Sequence, residues 1–270
     1  MFLPDIYWCN KIKTERFLSM LVSDLMTQYT LVTEQENSKD KGIEANLGKI
    51  IAKYQSQGVG RKEKEGNVVK STPSLFVDLY TILNEANKIQ KLSGFDDDIW
   101  KQLEVGEFVE VDGEFKQSPA ELLLSSVMDF TEQFKGHFEF AATAEENANL
   151  ELATKLLNLK KVTMIVNPYI EGDFKFFTSL ETEYFLEDRY ELEGDFTVMG
   201  KIRRIYKPHE KIDLIKLLPG KLRMKKEQLM TFIPNFKNED ISFDVGEINE
   251  NSFELKGPAI EIMPIAIYQE

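Results

Sequence analysis

The sequence predicts an α+β protein, with mixed or antiparallel sheets and several packed helices in a two-part architecture. Three observations carry this expectation. Leu18, Leu21, Val22, Leu25 and Tyr29 recur at the three-and-four spacing of one helical face, as do Leu75, Leu79, Ile82, Ala86 and Ile89. The segments GEFVEVDGEF (106–115), KVTMIV (161–166) and GDFTVMGKIRRIY (194–206) alternate or run apolar as strands do. A polar, alanine-rich stretch at 136–149 sets a boundary near 145. It divides the chain into an N-terminal α+β part, 1–145, and a C-terminal α+β part, 146–270, with a basic segment at 199–226.

In chain order, DIYWC (5–9) reads as a short strand leading into the first helix. From Thr33 to Ser71 the chain is polar and interrupted by Gly42, Gly48, Gly58, Gly60 and Gly66, which predicts a hairpin with its tip at 57–67. That tip, QGVGRKEKEGN, lacks the glycine-to-Gly-Lys-Ser/Thr spacing of a phosphate loop and reads as a solvated turn. Pro73 opens the second helix, where a missing N–H costs nothing. Asp96 or Asp97 caps a short helix carrying Ile99, Trp100 and Leu103, because a carboxylate accepts from unpaired amides. The acids of FDDDIW do not alternate as calcium ligands must.

Within GEFVEVDGEF, Asp112-Gly113 is a hairpin signal. A helix with Leu123, Val127, Phe130 and Phe134 follows Pro119, and another spans 150–160. Two strands then flank a turn at 171–173, and a short helix is expected from Glu183 to Asp188. In 194–206, Phe196, Val198 and Ile202 share one face while Ile205 falls on the other. That change of parity predicts a bulge or a strand end near Arg203 and Arg204, either of which lets both side chains reach solvent on one side. A helix with Ile212, Ile215 and Leu218 is expected next, then Leu229 and Phe232, then strands at SFDVGEI (242–248) and SFELKGPAIEIMPIAIY (252–268). GEFVEVDGEF and GDFTVMGKIR share a Gly-acid-Phe start, as a degenerate repeat or as two similar hairpin patterns.

In the closing run, Ile260 and Ile262 differ in parity from Ile265 and Ile267, and Pro264 withholds an amide from the ladder. The strand must be covered on both faces or bulge at Met263-Pro264. Burying four isoleucines at roughly 1.5–3 kcal/mol each makes it an anchor, with DIYWC as its candidate neighbour.

Composition excludes several classes. Hydrophobic residues at 42% and charged residues at 29% are those of a globular chain, and 270 residues can bury roughly 75% of their unfolded surface. No apolar run approaches the ~20 residues of a membrane span, and MFLPDIYW lacks the pattern of a signal peptide, so a cytoplasmic protein with no membrane partner is expected. Cys9 is the single cysteine and His137 and His209 the two histidines, which removes multi-thiolate zinc and leaves no cofactor or metal motif. Cys9 follows Trp8 in an apolar setting and reads as a buried, inert thiol.

Charge is the most informative feature. The chain carries a net −13, yet 199–226 holds ten Lys or Arg against Glu210 and Asp213, a local +8 that leaves −21 elsewhere. Acids concentrate at 95–115 and 171–195. Clustered cations raise the local potential enough to hold a phosphate-bearing ligand, whereas pairing with the acidic stretches would neutralise them. The candidate ligand-binding residues are Lys201, Arg203, Arg204, Lys207, His209 and Lys211.

The β-α opening at Asp5 to Met26, GEFVEVDGEF followed by Ser118-Pro119 and a leucine-rich helix, FTVMGKIRRI, and the closing GPAIEIMPIAIY together span most of the chain. In this order they resemble a bacterial family catalogued as a domain of unknown function. The resemblance implies a bacterial cytosolic protein and carries no catalytic residues to transfer.

The expected function is a non-enzymatic binding or regulatory protein. It would be a sensor or accessory subunit in a bacterial stress or antiviral system, acting through contacts with another protein or itself and through an anionic ligand. One alternative is an enzyme on a phosphorylated or nucleotide substrate, with the basic residues gripping phosphate and an acid such as Asp213 assisting proton transfer or metal binding. Another is single-stranded nucleic-acid binding with Tyr206 or Phe232 stacking on bases. The −21 outside the basic segment argues against a long polyanion.

Overall fold

The computed structural model describes residues 2–34, 71–92, 101–119, 121–122, 161–169, 174–188, 191–217 and 250–270. Its strands are β1 (Asp5–Cys9), β2 (Ile89–Lys91), β3 (Phe108–Gln117), β4 (Lys161–Pro168), β5 (Lys175–Glu181), β6 (Gly194–Tyr206), β7 (Lys211–Asp213), β8 (Glu254–Lys256) and β9 (Ala259–Gln269). Two helices, α1 (Lys11–Glu34) and α2 (Thr72–Glu85), are delineated among the described residues.

Five strands close into a barrel. β3 pairs antiparallel with β4, β4 with β5, β9 with β6 and β6 with β3, while β5 runs parallel to β9. β1 joins β9 and β2 joins β3 outside the ring, and β7 with β8 forms a separate ribbon. The expectation of an α+β fold with several packed helices is therefore corrected: the fold is predominantly β. The physical reason is that alternation in a sequence marks which face of a strand is buried but not which strands meet, so ring closure leaves no local trace. The boundary expected near 145 lies outside the described residues; the ring takes β3 from one side of it and four strands from the other.

Four barrel strands each send residues of one parity into a single cluster, and β9 changes parity along its length to join them. Val109, Val111 and Phe115 meet Val162, Met164 and Val166, then Phe176 and Leu180, Phe196, Val198 and Ile202, and Ile260, Ile262 and Ile267. Trp8 belongs to the same cluster, fully buried, with its indole Nε1 donating to the Glu181 carbonyl at 2.9 Å. Thr178 shares the parity of Phe176 and Leu180 and is fully buried, and its hydroxyl has no partner.

Two glycines permit the tight crossings. On the inward parity of β6 and β3, a Cβ at Gly200 would stand 2.5 Å from the Met263 carbonyl oxygen, and one at Gly113 would stand 2.5 Å from that of Asn167. Asp112-Gly113 is therefore not the expected hairpin: the pair sits inside continuous β3, and the glycine serves close backbone approach. The similar segments 106–115 and 194–203 contribute to β3 and β6, which pair with each other from Phe108↔Lys201 to Phe115↔Gly194.

β9 is the anchor its composition predicts. Its first half lies between β5 and β6 and its second between β1 and β6, with a register shift where Met199 faces Ala266 and Gly200 faces Pro264. Ile260, Ile262 and Ile267 enter the barrel core, whereas Ile265, Ala266 and Tyr268 face the helices, so both sides are covered.

The helices pack on that outer side. α1 starts where Asn10 Oδ1 accepts from the Lys13 amide at 2.9 Å, and α2 where Ser71 Oγ accepts from the Ser74 amide at 3.4 Å, with Pro73 in its first turn. α2 buries Phe76, Leu79, Tyr80, Ile82 and Leu83; Ala86 is its C-cap and Ile89 begins β2. Phe2 stacks on Tyr80, and Phe76 and Tyr268 meet this pair tilted or edge-on.

The β7–β8 ribbon covers Phe177 and Tyr206 with Ile212, Leu214 and Leu255. Here the expected 212–218 helix is instead β7 followed by a 3₁₀ turn at Leu214–Leu217, because pairing of Lys211–Asp213 with β8 overrides the helical spacing of Ile212 and Ile215. The expected 183–188 helix is a 3₁₀ turn at Thr182–Tyr184. The expected hairpin tip at 57–67, helices beyond Leu122 and strand 242–248 lie outside the described residues.

Candidate functional site

The sequence-predicted basic residues run along the second half of β6 and the turn after it. The parity break produces the expected bulge: pairing with β9 shifts register between Ile202 and Arg204, and both arginines are exposed. Ile202 stays in the barrel core, with Ile205 packed against it. A bulge re-aims side chains without breaking a strand, and here it turns two consecutive guanidinium groups outward.

Glu261 lies beside this pair. Arg203 Nη1 lies 3.0 Å from Glu261 Oε1, with the arginine side chain 67% exposed and the glutamate only 15% exposed. One of five N–H donors is thereby engaged at one end of a planar fork. Arg204 is the register partner of Glu261, and its guanidinium carbon lies 4.6 Å from the Tyr206 ring centroid. Burial raises the Tyr206 hydroxyl above the ordinary tyrosine value, and the Glu261 charge adds to this while Arg204 opposes it. Arg203, Arg204, Tyr206 and Glu261 thus share one electrostatic neighbourhood.

The remaining predicted residues diverge. Lys201 turns toward the helical layer, its ammonium 5.3 Å from the Phe17 ring centroid and 4.8 Å from that of Phe108. Lys207 and His209 are exposed on the turn between β6 and β7, where Lys207 N donates to Glu210 Oε2 at 2.6 Å and His209 has φ 72°. Lys211 pairs with Glu254 across the ribbon at 2.8 Å, and Lys216 lies 3.6 Å from Asp213. The carboxylates that meet these cations are Glu254, Glu261 and Asp213, outside both acidic stretches.

Two cations that the sequence did not single out join Arg203. Lys13, at the start of α1, and Lys161, at the start of β4, lie 3.7 and 3.5 Å from the two Glu181 carboxylate oxygens. Asn10 Nδ2 donates to the same carboxylate at 3.4 Å, and Lys13 Nζ also donates to the Pro264 carbonyl at 3.3 Å. Burial pulls the Lys13 ammonium below the ordinary lysine value against the attraction of Glu181, and the charges of Lys161 and Arg203 act in the same direction as burial. No sequence spacing connects residues 13, 161, 203 and 261; the crossing of β9 brings them near one another.

A second polar constellation lies on the outer face of β3. Glu110 is buried, with Oε1 2.9 Å from Lys91 Nζ and Oε2 accepting from the Tyr268 hydroxyl at 2.9 Å. Lys91 Nζ also donates to Tyr80 Oη at 2.8 Å, a bond that with Glu110 holds its ammonium above the ordinary lysine value despite partial burial. Burial, with Glu110 beside it, raises the Tyr268 hydroxyl far above the ordinary tyrosine value. Among the described residues, no group of three or more His, Cys, Asp or Glu side chains is arranged to hold a metal ion. Nor is any helix among them long and apolar enough to cross a membrane.

Fold and site together define a five-stranded β-barrel flanked, among the described residues, by two helices, with an arginine pair displayed at a bulge. The chain belongs to the family described as Domain of unknown function (DUF6414), whose match covers residues 3–268. No curated protein and no solved structure matches it.

Proposed function

We propose that the protein is a non-enzymatic binding protein of the bacterial cytoplasm that captures a phosphate-bearing anion at Arg203 and Arg204 and acts through contacts with other protein. One observation carries this reading: the β6 bulge turns both arginines to solvent, where Glu261 engages one Arg203 donor and Arg204 lies against the Tyr206 ring. The guanidinium fork suits phosphate because it donates two parallel bonds. Lys207 and His209 on the adjoining turn extend the exposed basic edge.

Isothermal titration of the full chain with inorganic phosphate and a nucleotide panel tests the reading. Saturable binding that weakens with salt and disappears in an Arg203→Ala, Arg204→Ala variant is expected. Absence of binding, or binding indifferent to both substitutions, would overturn it. Nucleotide turnover lost in the same variant would instead promote the enzymatic alternative.

Single-stranded nucleic acid is a second reading, favoured by the Arg204–Tyr206 stack and by the precedent of five-stranded Greek-key barrels that bind oligonucleotides on their second and third strands. Here those strands are β4 and β5. Their outer faces are partly occupied, since Thr163 and Phe177 are buried and Phe177 lies beneath the β7–β8 ribbon. The anion reading therefore stands ahead.

A further inference from the structure

The arginine pair is one end of a longer basic face. On the outside of the barrel, β5 runs parallel to β9 as far as Thr178↔Ile262, and beyond that point β9 leaves β5 to pair with β1. Lys13, from the first turn of α1, reaches into this parting: its ammonium donates to the Pro264 carbonyl at 3.3 Å and lies 5.8 Å from the Trp8 ring centroid. The pairs Lys161↔Glu181 and Phe177↔Glu261 put Lys161, Glu181 and Glu261 on one outer parity. Pro264 follows Glu261, the partner of Arg203, by three residues, about 10 Å of extended strand.

Counter-charge on this face falls short. The single Glu181 carboxylate serves two ammonium groups, Lys13 at 3.7 Å and Lys161 at 3.5 Å. Both distances exceed the roughly 2.7–2.9 Å of a charge-assisted hydrogen bond, so each ammonium, with three donors, keeps bonding capacity to spare. The Lys13 and Glu181 side chains are only 22% and 23% exposed, so solvent screens this charge less than it would at an open surface. Burial lowers the Lys13 ammonium, Glu181 opposes this, and the charges of Lys161 and Arg203 lower it again. An anion placed among these groups relieves that repulsion. Lys13, Lys161, Arg203 and Arg204 face two carboxylates, Glu181 and Glu261, an excess that a multiply charged anion matches.

We propose that the ligand carries a diphosphate, one phosphoryl group held by Arg203 and Arg204 and the next by Lys13 and Lys161. This rests on the anion reading of the arginine pair and names the ligand class. One tetrahedral phosphate engages one end of the face, whereas two linked phosphoryl groups engage both. Lys13 and Lys161 are then specificity-determining residues, selecting diphosphate over phosphate.

Isothermal titration of the full chain with inorganic phosphate and with pyrophosphate, at constant ionic strength, is the test. Pyrophosphate should bind about tenfold or more tightly than phosphate, the gain of one further charge-assisted bond. Lys13→Gln and Lys161→Gln should each remove most of that gain while leaving phosphate affinity within about twofold of the parent's. Lys161 is 49% exposed, so its variant carries the test even where Lys13→Gln lowers the melting midpoint. A parallel arm with AMP and ADP identifies the source: ADP tighter than pyrophosphate marks a nucleoside diphosphate, and the reverse marks a free one. The proposal is overturned by equal affinity for phosphate and pyrophosphate, by ADP binding no better than AMP or pyrophosphate, by an undiminished pyrophosphate preference in both lysine variants, or by lysine variants that weaken both anions alike. Each of these outcomes with phosphate still bound at the arginines leaves the anion reading standing. A protein that binds neither anion fails that reading and this proposal together.

Discussion

Replacing Gly200 by alanine separates a closed barrel from an open sheet by the sign of the stability change. In an open strand the substitution is stabilising, by about 0.4–1 kcal/mol, because alanine leaves the unfolded chain with fewer conformations to lose. In the closed ring the added methyl would stand 2.5 Å from the Met263 carbonyl oxygen and 2.6 Å from Ile262 Cγ2. A carbonyl held in a strand pairing cannot swing aside as a flexible side chain would, so overpacking of about 1–3 kcal/mol applies. The net expectation is a loss of about 1–2 kcal/mol, and Gly113→Ala, with Asn167 O at 2.5 Å, should behave alike. Urea denaturation followed by far-UV circular dichroism reads this as a lower midpoint at unchanged slope. A neutral or raised midpoint in both variants would refute closure of β6 on β9 and β3 on β4.

Thr178→Val removes a buried hydroxyl that has no partner and should raise stability by about 1 kcal/mol in the same assay; a loss would reveal a bond that the hydroxyl makes. Tyr268→Phe strips one donor from buried Glu110 and should cost about 1.5–3 kcal/mol, with a negligible change contradicting the network. Burial pushes the Cys9 thiol up to about 11, although Thr14 lowers it slightly, so at pH 8 only about one molecule in a thousand carries thiolate. Iodoacetamide should therefore label native protein far more slowly than urea-unfolded protein, and comparable rates would place the thiol at the surface. Glu261→Gln frees Arg203 from its carboxylate and should tighten phosphate binding by about threefold or more; weaker binding would mean that Glu261 is needed to orient the fork.

The parts of this structure legible in the sequence are those set by periodicity. The parity break between Ile202 and Ile205 located the bulge at Arg203 and Arg204, and the isoleucines around Pro264 required a strand covered on both sides. DIYWC was recognisable as its neighbour. What stayed hidden depends on distance. Asp112-Gly113 carries the chemistry of a turn, and only the passage of Asn167 within 2.5 Å of a would-be Cβ explains a glycine in mid-strand. The three-residue step from Ile212 to Ile215 fits a helix, yet the segment pairs with β8 and buries Ile212 against Tyr206.

The candidate site shows the same division. Its arginines announced themselves by local charge density, whereas Glu261, Lys13, Lys161 and Glu181 come from four separate stretches that β9, β5, β4 and the start of α1 bring together. The cluster of positive residues read from the sequence also overstated their unity. Alternation along β6 sends Lys201 to the aromatic rings under α1, while Lys211 crosses to Glu254.

The most direct measurement of the central claim is anomalous diffraction from crystals of the full chain soaked in tungstate, a heavy tetrahedral oxyanion. The account predicts a peak within bonding reach of the Arg203 and Arg204 guanidinium groups, absent in the double alanine variant. A site elsewhere on the molecule, or unoccupied arginines under saturating tungstate, would contradict it.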